Sequence, residues 1–191
     1  MNPRTLAVPL LACLVLTACG SQVTATGLSA GSQSATTPTS SEAVQGPRAA
    51  PALSPDNVVP AVPVIDVRTG ENVDLGSVVP SDKPVLLWAW APHCPTCRAE
   101  APEVEAFAAA NVDALTIVGM GTQDDLEYAK GFLADTGVST PRMLWDPGFD
   151  SWRALGVTSQ PTWILVRGDG SFIAGWVGGF PADEIQAALS A

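Results

Sequence analysis

The strongest constraint on this chain is an apolar run that ends beside a cysteine pair. Val85-Leu86-Leu87-Trp88-Ala89-Trp90 follows Lys83-Pro84 and contains no charged side chain, the pattern of a strand buried on both faces of a sheet. After three more residues comes Cys94-Pro95-Thr96-Cys97. From Pro95 onward, Cys97, Ala101, Val104 and Ala108 recur at helical spacing, with Arg98, Glu103 and Glu105 placed to face water. The strand therefore feeds a helix whose first turn carries both cysteines. Residues 115–120 form a second apolar run, so strand, helix and strand make a parallel unit with a right-handed crossover.

Residues 124–135 read as another helix, with Leu126, Ala129, Phe132 and Leu133 apolar and Gly137 beyond its end. Thr162–Val166 and Phe172–Val177 flank Arg167-Gly168-Asp169-Gly170, a hairpin signal. The Arg-Gly-Asp triplet is read as a turn rather than an adhesion motif, because Gly and Asp suit turn conformations. Pro181 precedes a closing helix, Ala182–Leu189, with Ile185, Ala188 and Leu189 inward. Upstream, 62–67, a turn at 68–71 and 72–75 suggest an added hairpin. The tryptophans at 145, 152, 163 and 176 are expected in core and rim packing.

The N-terminus supplies an address. Met1-Asn2-Pro3-Arg4 is followed by an apolar run over 6–16, the layout of a signal peptide and too short for a typical spanning helix. That run ends in Leu16-Thr17-Ala18-Cys19-Gly20, which resembles the lipobox of bacterial lipoproteins. Residues 1–18 are then a cleaved lipoprotein signal peptide, and Cys19 is the lipidated first residue. Acyl burial is worth about 0.8 kcal/mol per methylene, so two chains make a stable anchor. Residues 21–55 are rich in Ser, Thr, Ala, Gly and Pro, with Glu42 and Arg48 as the charged side chains and no aromatic residue. Such a segment cannot bury a core. Residues 19–55 are expected to be a lipid-anchored disordered linker with a span of roughly 30 Å, leaving 56–191 as the folded domain, outside the cytoplasm. The chain carries 19 acidic against 9 basic residues and shows no Lys/Arg cluster, so nucleic acid is not an expected partner.

Of the four cysteines, Cys13 leaves with the signal peptide and Cys19 is taken by the lipid. Cys94 and Cys97 remain. With a single histidine, His93, and no second cysteine pair, the chain lacks the Cys/His set typical of a structural zinc site, and no metal is assigned. A structural disulfide across two intervening residues would restrain the unfolded chain little. The pair is read as a redox centre.

Several segments resemble the thioredoxin superfamily, and within it the extracytoplasmic TlpA-like, ResA-like or DsbE-like branch, over residues 62–189. They are Trp88-Ala89-Trp90 leading into Cys94-Pro95-Thr96-Cys97, then Arg98-Ala99-Glu100-Ala101-Pro102, Gly156-Val157-Thr158-Ser159-Gln160-Pro161-Thr162 and Gly168-Asp169-Gly170. The lipobox, the Gln before the proline and the Ala-rich, Lys-poor composition also resemble DsbE/DsbF-type lipoproteins of high-GC Gram-positive bacteria. The resemblance implies an α/β, thioredoxin-like three-layer fold: a mixed central sheet with an N-terminal β-hairpin extension and flanking helices. It implies a cis peptide at Gln160-Pro161, opposite the cysteines, where backbone pairs with an extended substrate. It implies no cofactor beyond the Cys94/Cys97 disulfide.

The expected activity is thiol:disulfide exchange, oxidising cysteine pairs of exported proteins, with a membrane redox partner restoring the disulfide. Other members of the branch reduce apocytochrome c thiols, which is the alternative direction. A thioredoxin-fold copper-delivery protein, from another class, would use two cysteines and a distant histidine; here the histidine adjoins Cys94. Two positions depart from the family pattern: His93 stands where Trp is common, and Trp88 stands where cytoplasmic thioredoxins bury a carboxylate.

Roles follow from helix geometry. Cys94, at the strand-to-helix junction, is the exposed nucleophile, its thiolate stabilised by the helix N-terminus. Cys97, one turn on, is the resolving thiol. Pro95 fixes φ near the helix start, and Thr96 offers a hydroxyl to a nearby sulfur. His93 either adds positive charge beside Cys94 or fills the surface position that relatives give to Trp. Glu100 lies near the redox site by resemblance; on the helix pattern it is equally a solvated surface glutamate.

Overall fold

Val85–Trp90 is buried at every position, and its alternation splits the interior in two. The computed structural model describes residues 48–49, 56 and 58–191; the signal peptide, Cys13 and Cys19 lie outside them, as does most of the 19–55 segment. The elements are β1 (Arg48–Ala49), β2 (Pro63–Asp66), β3 (Asn72–Asp74), β4 (Val85–Trp90), α1 (Pro95–Ala110), β5 (Thr116–Gly121), α2 (Leu126–Thr136), β6 (Arg142–Trp145), α3 (Asp150–Ala154), β7 (Thr162–Val166), β8 (Phe172–Val177) and α4 (Ala182–Leu189). The strands form one mixed sheet in the order β1-β8-β7-β4-β5-β6-β2-β3. β4 pairs parallel with β5 and antiparallel with β7.

Leu86, Trp88 and Trp90 point to the face covered by α1, α2 and α4, where Cys97, Ala101, Val104, Phe132 and Ile185 pack. Val85, Leu87 and Ala89 point to the other, with Leu75, Trp152, Leu155 and Val157. The result is the expected three-layer, thioredoxin-like α/β fold. The expected hairpin is β2–β3, and β2 continues the sheet by pairing antiparallel with β6. Among the described residues no helix is long and apolar enough to cross a membrane.

Local differences from the sequence reading have identifiable causes. The strand expected at 72–75 stops at Asp74, whose carboxylate accepts the Gly76 N–H at 2.7 Å and turns the chain into a 3-10 helix, Leu75–Val78. The helix expected from 124 starts at Leu126, because Asp125 caps it by accepting the Tyr128 N–H at 2.7 Å. β6 and α3 were not anticipated. β6 has four residues, too few for a period, and α3 depends on buried Asp146, which accepts the Ser151 N–H at 2.7 Å and its hydroxyl at 2.6 Å. Arg48–Ala49, inside the segment expected as linker, pairs antiparallel with β8, where the sheet edge offers unpaired backbone groups.

Candidate active site

Strand register brings four loops to one edge of the sheet. Trp90 at the end of β4 lies opposite Gly121 of β5, Ala89 opposite Thr162 of β7, and Thr162 opposite Val177 of β8. Residues 91–94, 122–125, 159–161 and 178–180 therefore share that edge. They are tied there by Thr122 N–H to the Trp90 carbonyl at 3.3 Å and Gly178 N–H to the Pro161 carbonyl at 3.0 Å. The Trp90 indole lies so close to β5 that a Cβ at Gly121 would come within 2.5 Å of it, which explains glycine at that position.

Cys94 is the N-cap of α1, in extended conformation, with Pro95 starting the helix. Its Sγ accepts the Cys97 backbone N–H at 3.1 Å, so sulfur occupies the place that a Ser or Asp oxygen takes in other helices. Cys94 and Cys97 form a disulfide, with Cα atoms 5.3 Å apart. Cys94 was expected to be exposed, yet it keeps only 4 % exposure against 0 % for Cys97. It sits at the end of a fully buried strand, behind buried Ala91 and Pro92, so little of its surface meets solvent. The expected asymmetry remains, because Cys94 alone of the two touches solvent. Pro95 and Thr96 are exposed.

His93 is exposed, and its Nδ1 lies 2.9 Å from Asp124 Oδ2. The ring is thus held by a carboxylate of the 122–125 loop. Arg98 is less solvated than expected. Its Nε donates to the Pro92 carbonyl at 2.8 Å and its Nη1 to Asp135 at 3.1 Å, while the guanidinium lies 5.4 Å from the Phe132 ring centroid. It fastens the loop before Cys94 to α2 and is a positioning residue. The sequence hint was its place immediately after Cys97, which charge patterning alone assigned to water.

Glu100 contradicts the solvated alternative. It keeps 7 % exposure, and neither carboxylate oxygen has a hydrogen-bond partner. Burial pushes its pKa up to about 8, against the pull of the Phe180 backbone N–H and the Trp88 indole N–H. Both donors face the carboxyl without reaching it in hydrogen-bond geometry, and Trp88 Nε1 is likewise unpartnered. The strand position of Trp88 holds no acid, but an acid from the helix faces it. Trp88 stacks on Trp163 with centroids 5.2 Å apart and meets Phe132 edge-on. These rings share one apolar cluster with both cysteines. Trp145, Trp152, Trp163 and Trp176 are all buried.

The Gln160–Pro161 peptide is cis. Pro161 is buried and Gln160 half-buried, and the Thr162 hydroxyl donates to the Ser159 carbonyl at 2.7 Å. One residue absent from the sequence reading also reaches this rim: Gln123 Oε1 accepts from Gln160 Nε2 at 3.3 Å.

A cysteine pair at the start of a helix, on the outlet edge of this sheet, defines a class: the thioredoxin-superfamily thiol:disulfide oxidoreductases. The chain belongs to the Redoxin family, whose model matches residues 50–189. It is 33% identical over 111 residues to the soluble secreted antigen MPT53 of Mycobacterium tuberculosis, covering 57% of this chain and 63% of that one. It is 36% identical over 93 residues to the thiol:disulfide interchange protein DsbE of Escherichia coli, covering 49% of each. The chain thus spans about half to two thirds of the length of these curated relatives. The solved structure of MTB DsbF, in mixed oxidised and reduced forms, superposes with a TM-score of 0.59 at 31% identity, covering 69% of this chain and 97% of that one.

Proposed function

We propose that this chain is an oxidant of cysteine pairs in exported proteins, working outside the cytoplasm and held at the membrane through a lipid on Cys19. The observation that carries the reading is the Cys97 N–H aimed at Cys94 Sγ at the N-terminus of α1. In the reduced protein this donor and the positive helix end stabilise a Cys94 thiolate. Stabilising the reduced form makes the disulfide a stronger oxidant. Glu100 supports the same direction: with a pKa of about 8 it is mostly protonated at neutral pH and adds little negative charge near the pair.

A substrate thiolate attacks Cys94 Sγ, the Cys94–Cys97 bond breaks, and its electron pair leaves on Cys97. The buried Cys97 sulfur takes a proton and becomes a thiol. A second substrate thiolate then attacks the substrate sulfur of the mixed disulfide, and Cys94 departs as the stabilised thiolate. Two electrons have passed from the substrate dithiol to the pair. A membrane redox partner would remove them and restore the disulfide. The relative MPT53 is a secreted antigen, which supports the export signal read from residues 1–18.

The test is the pH dependence of Cys94 alkylation in the reduced protein. The reading expects a half-point clearly below about 7, the value of the reductant thioredoxin. A half-point between about 7 and 8.5, the latter the value of an unperturbed thiol, contradicts it.

A further inference from the structure

Gln123 is exposed and holds φ of 69°, a left-handed conformation that residues other than Gly, Asn and Asp seldom adopt. Both neighbours are fastened. Thr122 donates its N–H to the Trp90 carbonyl at 3.3 Å and its hydroxyl to the Asp146 carbonyl at 2.7 Å, and Asp124 meets His93. The loop therefore holds the Gln123 side chain over the rim, where it meets Gln160, the residue before the cis proline.

A primary amide offers two N–H donors and a carbonyl with two lone pairs. The contact between the two side chains uses one donor of Gln160 and one lone pair of Gln123, through a solvent-exposed bond of 3.3 Å. Among the described residues neither amide makes another side-chain hydrogen bond. That contact leaves the whole Nε2 group of Gln123 and the whole Oε1 of Gln160 unused, one donor group and one acceptor, which is the complement of a peptide group. An exposed bond of this length is readily exchanged for an equivalent one.

We propose that Gln123 is a substrate-binding residue whose Nε2 donates to a backbone carbonyl of an extended, cysteine-bearing segment lying along the 159–161 loop. The proposal rests on the oxidoreductase reading above and adds to it one binding residue, Gln123, on the loop facing the cis proline. Such recognition places little demand on the side chains of the substrate.

The experiment compares a short synthetic peptide bearing one cysteine pair with dithiothreitol, each oxidised by the full-length protein. The readout is the ratio of two single-turnover second-order rate constants, that for reduction of the Cys94–Cys97 disulfide by the peptide over that for its reduction by dithiothreitol. Gln123→Gly accommodates the left-handed backbone and removes the side chain. Gln123→Glu keeps its size and its acceptor for Gln160 and removes the donor. The ratio is expected to fall about three- to tenfold in both, the effect of one neutral hydrogen bond. If Gln123 merely latched the two loops together, loosening them would change both substrates in parallel. A ratio within about twofold of wild type in either variant overturns the proposal. Wild-type protein that oxidises neither compound would instead sink the oxidoreductase reading itself.

Discussion

Glu100 keeps its proton at neutral pH because its carboxyl is out of water and unbonded. In the unfolded chain it titrates near 4.5, in the folded protein near 8. Below pH 4.5 both states are protonated and burial of the acid carries no ionisation cost. Between 4.5 and 8 the unfolded chain gives up its proton while the folded one retains it, so stability falls as pH rises; above 8 the loss is complete. Glu100→Gln should therefore flatten the dependence of Tm on pH between about 5 and 8 and stabilise the protein at pH 8 by on the order of a few kcal/mol. Parallel curves for variant and wild type would contradict this assignment. The Glu-x-Pro pattern marked the position in the sequence, and the helical stripe ran through it, since 97, 100, 101 and 104 share a face. What hid its burial was chemistry: a carboxylate is assigned to water unless a partner is visible. Cys94 was similarly legible as the junction residue, while its near-complete cover depends on loops far apart in sequence.

At the scale of elements, α1 is tied to the loop before β6 by Glu105. Its carboxylate accepts the Ser139 N–H and hydroxyl, each at 2.7 Å, and the Thr140 N–H and hydroxyl at 2.9 and 2.7 Å. These donors hold its pKa down at about 2. Its contribution to stability is full above the unfolded value of 4.5 and is lost as pH falls towards 2. Glu105→Gln should cost about 1–2 kcal/mol at pH 7, discounted for its contact with solvent, with the difference fading by about pH 2 to 3. Urea unfolding at the two pH values checks this, and an equal cost at both would rule out the ionised carboxylate as the tie. Elements with strong local signals were legible to the residue: β4, β7, β8 and α4 lie where their apolar runs and flanking Gly and Pro put them. β6 and α3 were silent, because one is short and the other is organised by Asp146 from outside itself. The same long-range logic explains why Arg98 and Glu105 were assigned to water: their partners lie on α2 and in the 138–141 loop.

At the scale of the whole molecule, the chain has a net charge of −10, and among the described residues the redox pair lies at one edge of the sheet. The order of elements and the central strand with its cysteines were enough to read the fold class, and membership of the Redoxin family agrees with it. The direction of electron flow was not legible in the same way. It depends on how strongly the reduced pair is stabilised, a balance among the Cys97 N–H, the helix end, the His93–Asp124 pair and the protonated Glu100. Each arises from packing and register rather than from the motif. Direct equilibration with glutathione buffers measures their sum as the reduction potential of the Cys94/Cys97 couple. The oxidant account predicts a value of about −120 to −180 mV, and one of about −270 mV or lower, as in thioredoxin, would contradict it.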